Sequence, residues 1–430
     1  MASFFKTSVL TLLSNLIVLV LGFVSSIIIA RSLGPELQGV YNIAMLLPTL
    51  IYTFMNLGQE ASAVYFTSKG KEDYERIISN NLYIMLLFTI VSLVGGIVFI
   101  VLLKHSFFTG ISYTLLLIAL VNAPLLFIFG MINSILRAKG LFSESNKVNI
   151  IKRVIFIIIS ILVFLVKDVK IVLIANIAMY LLGIIVSLKY LKLKSFKPKF
   201  DKDYQLKSLI YGLKSYSSNL ITYLNYRMDT VLIKIFMGTT SVGIYSLSTS
   251  LAEQVWILSS SVSTILFPRI SQLEDEEERK LLTLRTYKMV NYTTLIMVLF
   301  LYLIGKIVIP ILYSDKYVDS IAPFNILLIG IFSLSSGRVL ANDLSGRGKP
   351  ELNTFSNSIG LVVNFVLNLI LIPRDGIRGA AIATAVSYTV NSILFIYAYC
   401  KVVKVNPISL FTVTKDDLYY IKRLSLRRRK

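Results

Sequence analysis

The sequence predicts an all-α integral membrane protein with about 12 transmembrane helices in two pseudo-symmetric six-helix bundles. Three observations carry this. Of 430 residues, 55% are hydrophobic and only 16% charged, with a mean hydropathy of +0.74, more apolar surface than a soluble globule buries. Apolar runs of the roughly 20 residues needed to cross a ~30 Å hydrocarbon core recur along the chain. Finally, a Gly, Gly, Tyr motif followed by a polar stripe occurs twice at one offset, as Gly34-Pro-Glu-Leu-Gln-Gly39-Val-Tyr41 and Gly238-Thr-Thr-Ser-Val-Gly243-Ile-Tyr245.

Runs 9–30, 81–103, 106–136, 352–373 and 379–400 contain no Asp, Glu, Lys or Arg and are the firmest spans. Runs 39–65, 147–166, 171–190, 208–236, 240–268, 289–313 and 319–346 are shorter or interrupted by polar residues. The first run is followed by many others and reads as a retained helix, not a cleaved signal. β-Barrel strands alternate every second residue over about 10 residues, which these long runs do not.

In chain order, span one closes on the Gly34-Pro35 turn. Span two carries Asn42, Thr49, Thr53, Asn56 and Glu60 within about 60° of one helix face. Span four contains Pro124, placed to kink it, and ends in an Arg137-Ala-Lys139-Gly140 turn. Spans five and six are rich in Ile and Val and read as helices able to face lipid all round. The basic stretch 189–207 separates two halves, giving an N-terminal lobe 1–206, a C-terminal lobe 207–402 and a basic tail 403–430.

Span seven places Lys214, Ser218, Thr222, Asn225 and Asp229 within about 80°, with Asn219, Tyr223, Arg227 and Lys234 roughly opposite. Span eight carries Ser246, Ser250, Glu253, Ser260 and Thr264 on one face, again within about 80°. Span nine holds Lys306 in its outer third. Span ten holds Arg338, Asn342 and Asp343 near its inner end and closes in Ser345-Gly-Arg347-Gly348, which matches the turn after span four. Span eleven aligns Asn353, Asn357, Asn364 and Asn368, and Gly376-Ile-Arg-Gly379-Ala-Ala turns into span twelve. An even number of spans per half makes the repeats parallel, with a substrate site expected near the midplane between them.

The formal net charge of +21 does not indicate nucleic acid. Lys and Arg concentrate in 189–207, 269–288 and the tail, the positive-inside pattern of a chain with both termini cytoplasmic. The tail reads as a topology signal and an anchor to the lipid surface. One histidine, His105, and one cysteine, Cys400, leave no zinc site, His-based catalysis or internal disulfide to expect. No phosphate-cradling GxxxxGK[ST] loop occurs and no large loop could hold an enzyme domain, so neither enzyme activity nor a cofactor is expected.

What remains is polar chemistry inside the spans, where each charged group costs roughly 2.5–3.5 kcal/mol at a helix centre. The stripes fit either the wall of a hydrated passage or interhelical hydrogen bonding. Glu253, Asp229 and Glu60 are candidates for coupling to a proton or sodium ion; pairing within the bundle, for instance Asp229 with Lys306, is the other reading. Lys152 and Arg153, near the inner boundary, read as snorkelling to lipid phosphate.

Ala30-Arg31-Ser-Leu33-Gly34-Pro35 with Gly39-Val-Tyr41 and Leu57-Gly58, then Arg227-Met-Asp229, Gly243-Ile-Tyr245 and Phe267-Pro268, then Val363-Asn364, Asn368, Pro373 and Gly376-Ile-Arg-Gly379-Ala-Ala381, carry a further message. In order and spacing they resemble the polysaccharide-exporter and O-antigen flippases of the multidrug/oligosaccharidyl-lipid/polysaccharide exporter superfamily. The resemblance implies a two-lobed fold like that of the superfamily's multidrug exporters. It also implies transfer of an undecaprenyl-diphosphate-linked oligosaccharide from the cytoplasmic to the periplasmic leaflet of a bacterial inner membrane. Transfer would proceed by alternating access, alongside other polysaccharide assembly proteins. It implies a cavity that binds diphosphate through basic side chains. Arg31 and Arg227 occupy motif positions, and Lys214, Arg338 and Lys306 join them by helix face, with Asn42, Asn56, Asn225, Ser246 and Ser250 on the walls. An ion-coupled multidrug exporter of the same architecture is the alternative.

Overall fold

The computed structural model describes residues 2–69, 74–191, 200–257 and 275–412, with 259, 260, 266, 270 and 273. Every regular element among them is helical. In chain order these are α1 (Ala2–Met55), α2 (Gln59–Lys69), α3 (Tyr74–Leu103), α4 (Tyr113–Leu120), α5 (Asn122–Ala138), α6 (Phe142–Ile161), α7 (Val163–Val166), α8 (Val169–Leu191), α9 (Lys202–Met237), α10 (Thr239–Glu253), α11 (Glu276–Tyr313), α12 (Ile321–Gly346) and α13 (Pro350–Val403). Eight helical stretches among the described residues are long and apolar enough to cross a membrane. This is a multi-pass membrane protein.

Two elements each hold two expected spans. A straight helix of 54 residues would be about 80 Å long, more than twice a bilayer core. Both α1 and α13 are instead interrupted at a glycine, Gly34 (φ 70°, ψ 175°) and Gly376 (φ 59°, ψ −137°). Such angles strain any residue with a Cβ. Pro35, following the first break, suits the start of a new helix because its missing N–H has no partner to lose there. In α13 the chain folds back on itself: a side chain on Gly379 would stand 2.2 Å from the carbonyl oxygen of Leu371. The two arms exchange hydrogen bonds, Asn364 Nδ2 to Thr384 Oγ1 at 3.2 Å and Ser387 Oγ to the carbonyl of Gly360 at 2.8 Å.

Span four is broken where Pro124 predicts a bend, with α4 ending at Leu120 and α5 starting at Asn122. Proline cannot donate to the preceding turn, and the Asn122 side chain supplies a donor there, to the carbonyl of Ala119 at 3.1 Å. Spans five and six depart from the expectation of lipid on all sides. Helix α6 buries Ser145, Val148, Lys152, Phe156 and Ser160, and α8 buries Val172, Ala175, Asn176, Met179 and Gly183. Hydropathy averages around a helix and does not register such a stripe.

The chain divides into two compact units. One comprises Met1–Tyr223, Met237–Ile244 and Leu312–Lys316, the other Leu224–Phe236, Tyr245–Ile311 and Tyr317–Lys430. Within the first, the two copies of the repeated motif meet reciprocally. A Cβ on Gly39 would lie 1.8 Å from the carbonyl oxygen of Thr239, and a Cβ on Gly243 1.9 Å from that of Pro35. Pro35 and Thr239 hold the same place in the two copies, as do Gly39 and Gly243, so the crossing is two-fold symmetric. A second close approach joins α9 to the α1–α2 turn, where Gly212 and Gly58 meet backbone to backbone and Ser208 bonds Ser62 at 2.7 Å and Gln59 at 2.9 Å.

Candidate functional site

The second unit holds the denser polar cluster. Asp229, in α9, is 1% exposed. Its Oδ2 accepts from the hydroxyls of Tyr245 at 2.7 Å and Thr384 at 3.3 Å, and its Oδ1 from the backbone N–H of Thr230 at 2.6 Å. A buried carboxylate persists only when hydrogen bonds replace its hydration, and here three helices supply them. The network extends from Thr384 to Asn364 and on to Asn368, whose Nδ2 donates to Asn364 Oδ1 at 2.9 Å. Asn368 Oδ1 is buried without a hydrogen-bond partner. One turn along α9, Asn225 Oδ1 accepts from Ser387 Oγ at 3.2 Å.

Beside this network lies a cationic and aromatic group. The Arg338 guanidinium carbon is 3.9 Å from the Trp256 ring centroid and 5.6 Å from that of Tyr226, and its Nη2 donates to the Tyr226 hydroxyl at 2.5 Å. Tyr226, Trp256 and Tyr388 form a three-ring cluster with centroids 5.0–5.8 Å apart. Arg227, on the next face of α9, lies 3.8 Å from Glu253 Oε1 and keeps 40% of its side chain exposed. A planar guanidinium stacked on an indole retains outward N–H donors, the fork geometry that matches phosphate or carboxylate oxygens.

In the first unit, Glu60 Oε1 accepts from Tyr52 at 2.6 Å and from Asn56 at 3.3 Å, and Gly130 leaves it room, since a Cβ there would fall 2.1 Å from that oxygen. Asn42 is half-buried, with its amide nitrogen enclosed and unbonded. Thr49 bonds Tyr223 at 2.9 Å. Polar residues of the α1 stripe thus serve partly as interhelical ties.

The structure therefore brings together Asp229, Asn225, Arg227, Glu253 and Arg338, and separately Glu60 and Asn56. Ser246 is half-buried, while Ser250 and Arg31 are exposed. The suggested Asp229 to Lys306 pair does not form: Asp229 is bonded by hydroxyls and Lys306 is exposed. Lys152 does not snorkel; it is buried. The side chains of Lys214 and Ser218, and residues Thr264, Phe267, Pro268 and Arg269 with the basic tail from 413, lie outside the described residues. Sequence reasoning marked Tyr245 only as a repeated motif position and missed Tyr226, Trp256, Thr384 and Tyr388. The sole tryptophan, one helical turn after Glu253, was the available signal.

The family model described as polysaccharide biosynthesis protein matches residues 4–274. An uncharacterized membrane protein of Methanocaldococcus jannaschii, MJ1068, is 28% identical over 274 residues; the match covers 61% of this chain and 54% of that protein. A putative O-antigen transporter of Shigella flexneri is 23% identical over 427 residues, covering 94% of this chain and 99% of that one. Among solved structures, the lipid II flippase MurJ in its inward closed conformation superposes with a TM-score of 0.77 at 16% identity, over 97% of this chain and 93% of that chain. The fold is thus shared with that flippase.

Proposed function

Since this chain belongs to the polysaccharide biosynthesis protein family, we propose that it is a flippase for an undecaprenyl-diphosphate-linked oligosaccharide. It would carry the cargo from the cytoplasmic to the periplasmic leaflet of a bacterial inner membrane by alternating access of two lobes, 1–206 and 207–402. Both termini would be cytoplasmic, with the tail 403–430 at the lipid surface, as the distribution of Lys and Arg supports.

The observation that carries this reading is the pair Arg227 and Arg338, held partly exposed beside Tyr226, Trp256 and Tyr388. Guanidinium forks suit a diphosphate, and flat ring faces suit the apolar sides of sugars. A cation-seeking pump has little use for two guanidinium groups at this place, which favours the flippase over the multidrug alternative.

The coupling ion, a proton or sodium, would act at Asp229, with Glu253 and Glu60 as the further candidates. The oxygens of Asp229, Tyr245 and Thr384, with the unpartnered amide oxygen of Asn368 further along the same hydrogen-bond chain, are of the hard kind that suits a sodium ion or a proton.

Export tests both parts. In a host lacking this protein, the wild-type gene restores surface polysaccharide, whereas Arg338→Ala and Asp229→Asn do not, at equal abundance in the membrane. Normal surface polysaccharide in both variants refutes the assignment.

A further inference from the structure

Lys152, in the first unit, has a setting that runs against the sequence expectation and has no part in the proposed function. It lies mid-way along α6 and is 8% exposed. Its Nζ stands 3.3 Å from the centroid of the Phe129 ring, on α5, and 4.6 Å from that of Tyr180, on α8. The two rings are tilted, 5.9 Å apart. Gly183, one turn beyond Tyr180, makes the space for the lysine stem: a Cβ there would come within 2.6 Å of Lys152 Cδ and 3.0 Å of Phe129 Cε2. Three helices therefore shape a socket around this amine.

The socket leaves the amine's chemistry incomplete. An ammonium has three N–H donors, and ring faces attract its charge without accepting hydrogen bonds as oxygens do. Among the described residues no carboxylate or other hydrogen-bonding group contacts it. Glu60, an acid of the same unit, is already engaged by Tyr52 and Asn56. A buried amine is costly to keep charged without an anionic partner, and a socket that encloses one and supplies none leaves a place for an oxyanion that comes and goes.

We infer that Lys152, with Phe129 and Tyr180, forms a subsite for an acidic oxygen group of the transported molecule, either a sugar carboxylate or the phosphate of the lipid carrier. The inference rests on the flippase reading for its cargo. The rings hold the amine in one position and exclude water from its flanks, so an oxyanion arriving at the open side receives charge and hydrogen bonds together. Selection for acidic cargo follows, because a neutral sugar leaves the ammonium without a counter-charge.

The test uses the full chain purified in detergent micelles, titrated calorimetrically with two probes, farnesyl diphosphate and a glucuronate-containing disaccharide. Wild type binds at least one of them. Lys152→Met, which keeps the stem and removes the charge, weakens that binding fivefold or more, and Gly183→Ala, which pushes the stem aside, weakens it in the same direction. The probe affected identifies the source of the acidic group. If wild type binds neither probe, or both probes lose less than fivefold in Lys152→Met, the subsite is overturned. If the variants are not recovered folded, amine labelling of wild type decides: protection of Lys152 by a probe supports the subsite and unchanged labelling overturns it. Surface-polysaccharide complementation by wild type runs in parallel. Failure there sinks the flippase reading alone, whereas restored export with unchanged probe binding in Lys152→Met sinks only the subsite.

Discussion

Replacing Gly39 or Gly243 by alanine tests the symmetric motif crossing directly. The new methyl would stand 1.8 Å from the Thr239 carbonyl oxygen in the first variant and 1.9 Å from that of Pro35 in the second. Ordinary contact needs about 3.4 Å, so each substitution drives the two backbones apart by about 1.5 Å, and overpacking of this kind costs about 1–3 kcal/mol. Neither obstacle is a flexible side-chain end that could swing away. Because both methyls enter one crossing, the separation forced by the first makes room for the second. The double variant should therefore cost clearly less than the two singles added, by more than the 0.5 kcal/mol expected of independent sites. Reversible unfolding in mixed micelles of increasing SDS content gives the four free energies of the cycle. Gly95→Ala is the control: nothing lies within 4 Å of its Cβ, and a helix-interior Gly to Ala change is neutral or stabilises by up to about 1 kcal/mol. Additive losses in the double variant, or singles no worse than Gly95→Ala, would refute the crossing.

Three further expectations follow from other contacts. Arg338→Lys should retain charge yet fail to restore export, because an ammonium neither stacks on Trp256 nor keeps the fork; full complementation by the lysine variant would argue for charge alone. Near the C-terminal end of α12, buried Asp343 is bonded by Arg347 and by Thr283, and Arg347 also pairs with Glu276. Arg347→Ala should cost about 3–5 kcal/mol in the same SDS titration by leaving a buried acid unpaired, and Asp343→Asn combined with it should recover part of the loss. Asp201 caps α9, and the backbone N–H of Tyr204, joined by Arg76, holds its carboxyl below the usual carboxylate range. Its folded value is depressed, so its contribution is present above the ordinary carboxylate range and lost as pH falls through the folded value. Asp201→Asn should flatten the decline in thermal stability on acidification and leave neutral pH little changed; an unaltered slope contradicts the assignment.

Much of the architecture was legible because lipid imposes a length and a composition on every helix, and because a duplicated motif leaves the same glycines at the same offset. The break at Gly376, the fracture near Pro124 and the polar stripe of span eleven were readable for that reason. Partnerships were not. Asp229 was readable as a buried acid, but its bonds to Tyr245 and Thr384 join residues far apart in sequence, and helix-face arithmetic says nothing about which faces meet. Lys306 and Lys152 show the same limit in opposite directions. Both are lysines in apolar runs, yet one is exposed and the other is enclosed, because Gly183 and Phe129, on other helices, create the socket. Tyrosines and the lone tryptophan were passed over since they count as apolar in hydropathy while their hydroxyls and ring faces organise the polar cluster.

The fold-back of α13 bears on how this protein is made. Asn364 and Thr384 answer each other across the bend, as do Gly360 and Ser387. Either arm delivered singly would bring unpaired amides or hydroxyls into hydrocarbon. Entering side by side as a ready hairpin, the two arrive with those groups already matched, so the bend at Gly376 serves the entry of this pair into lipid as well as its shape.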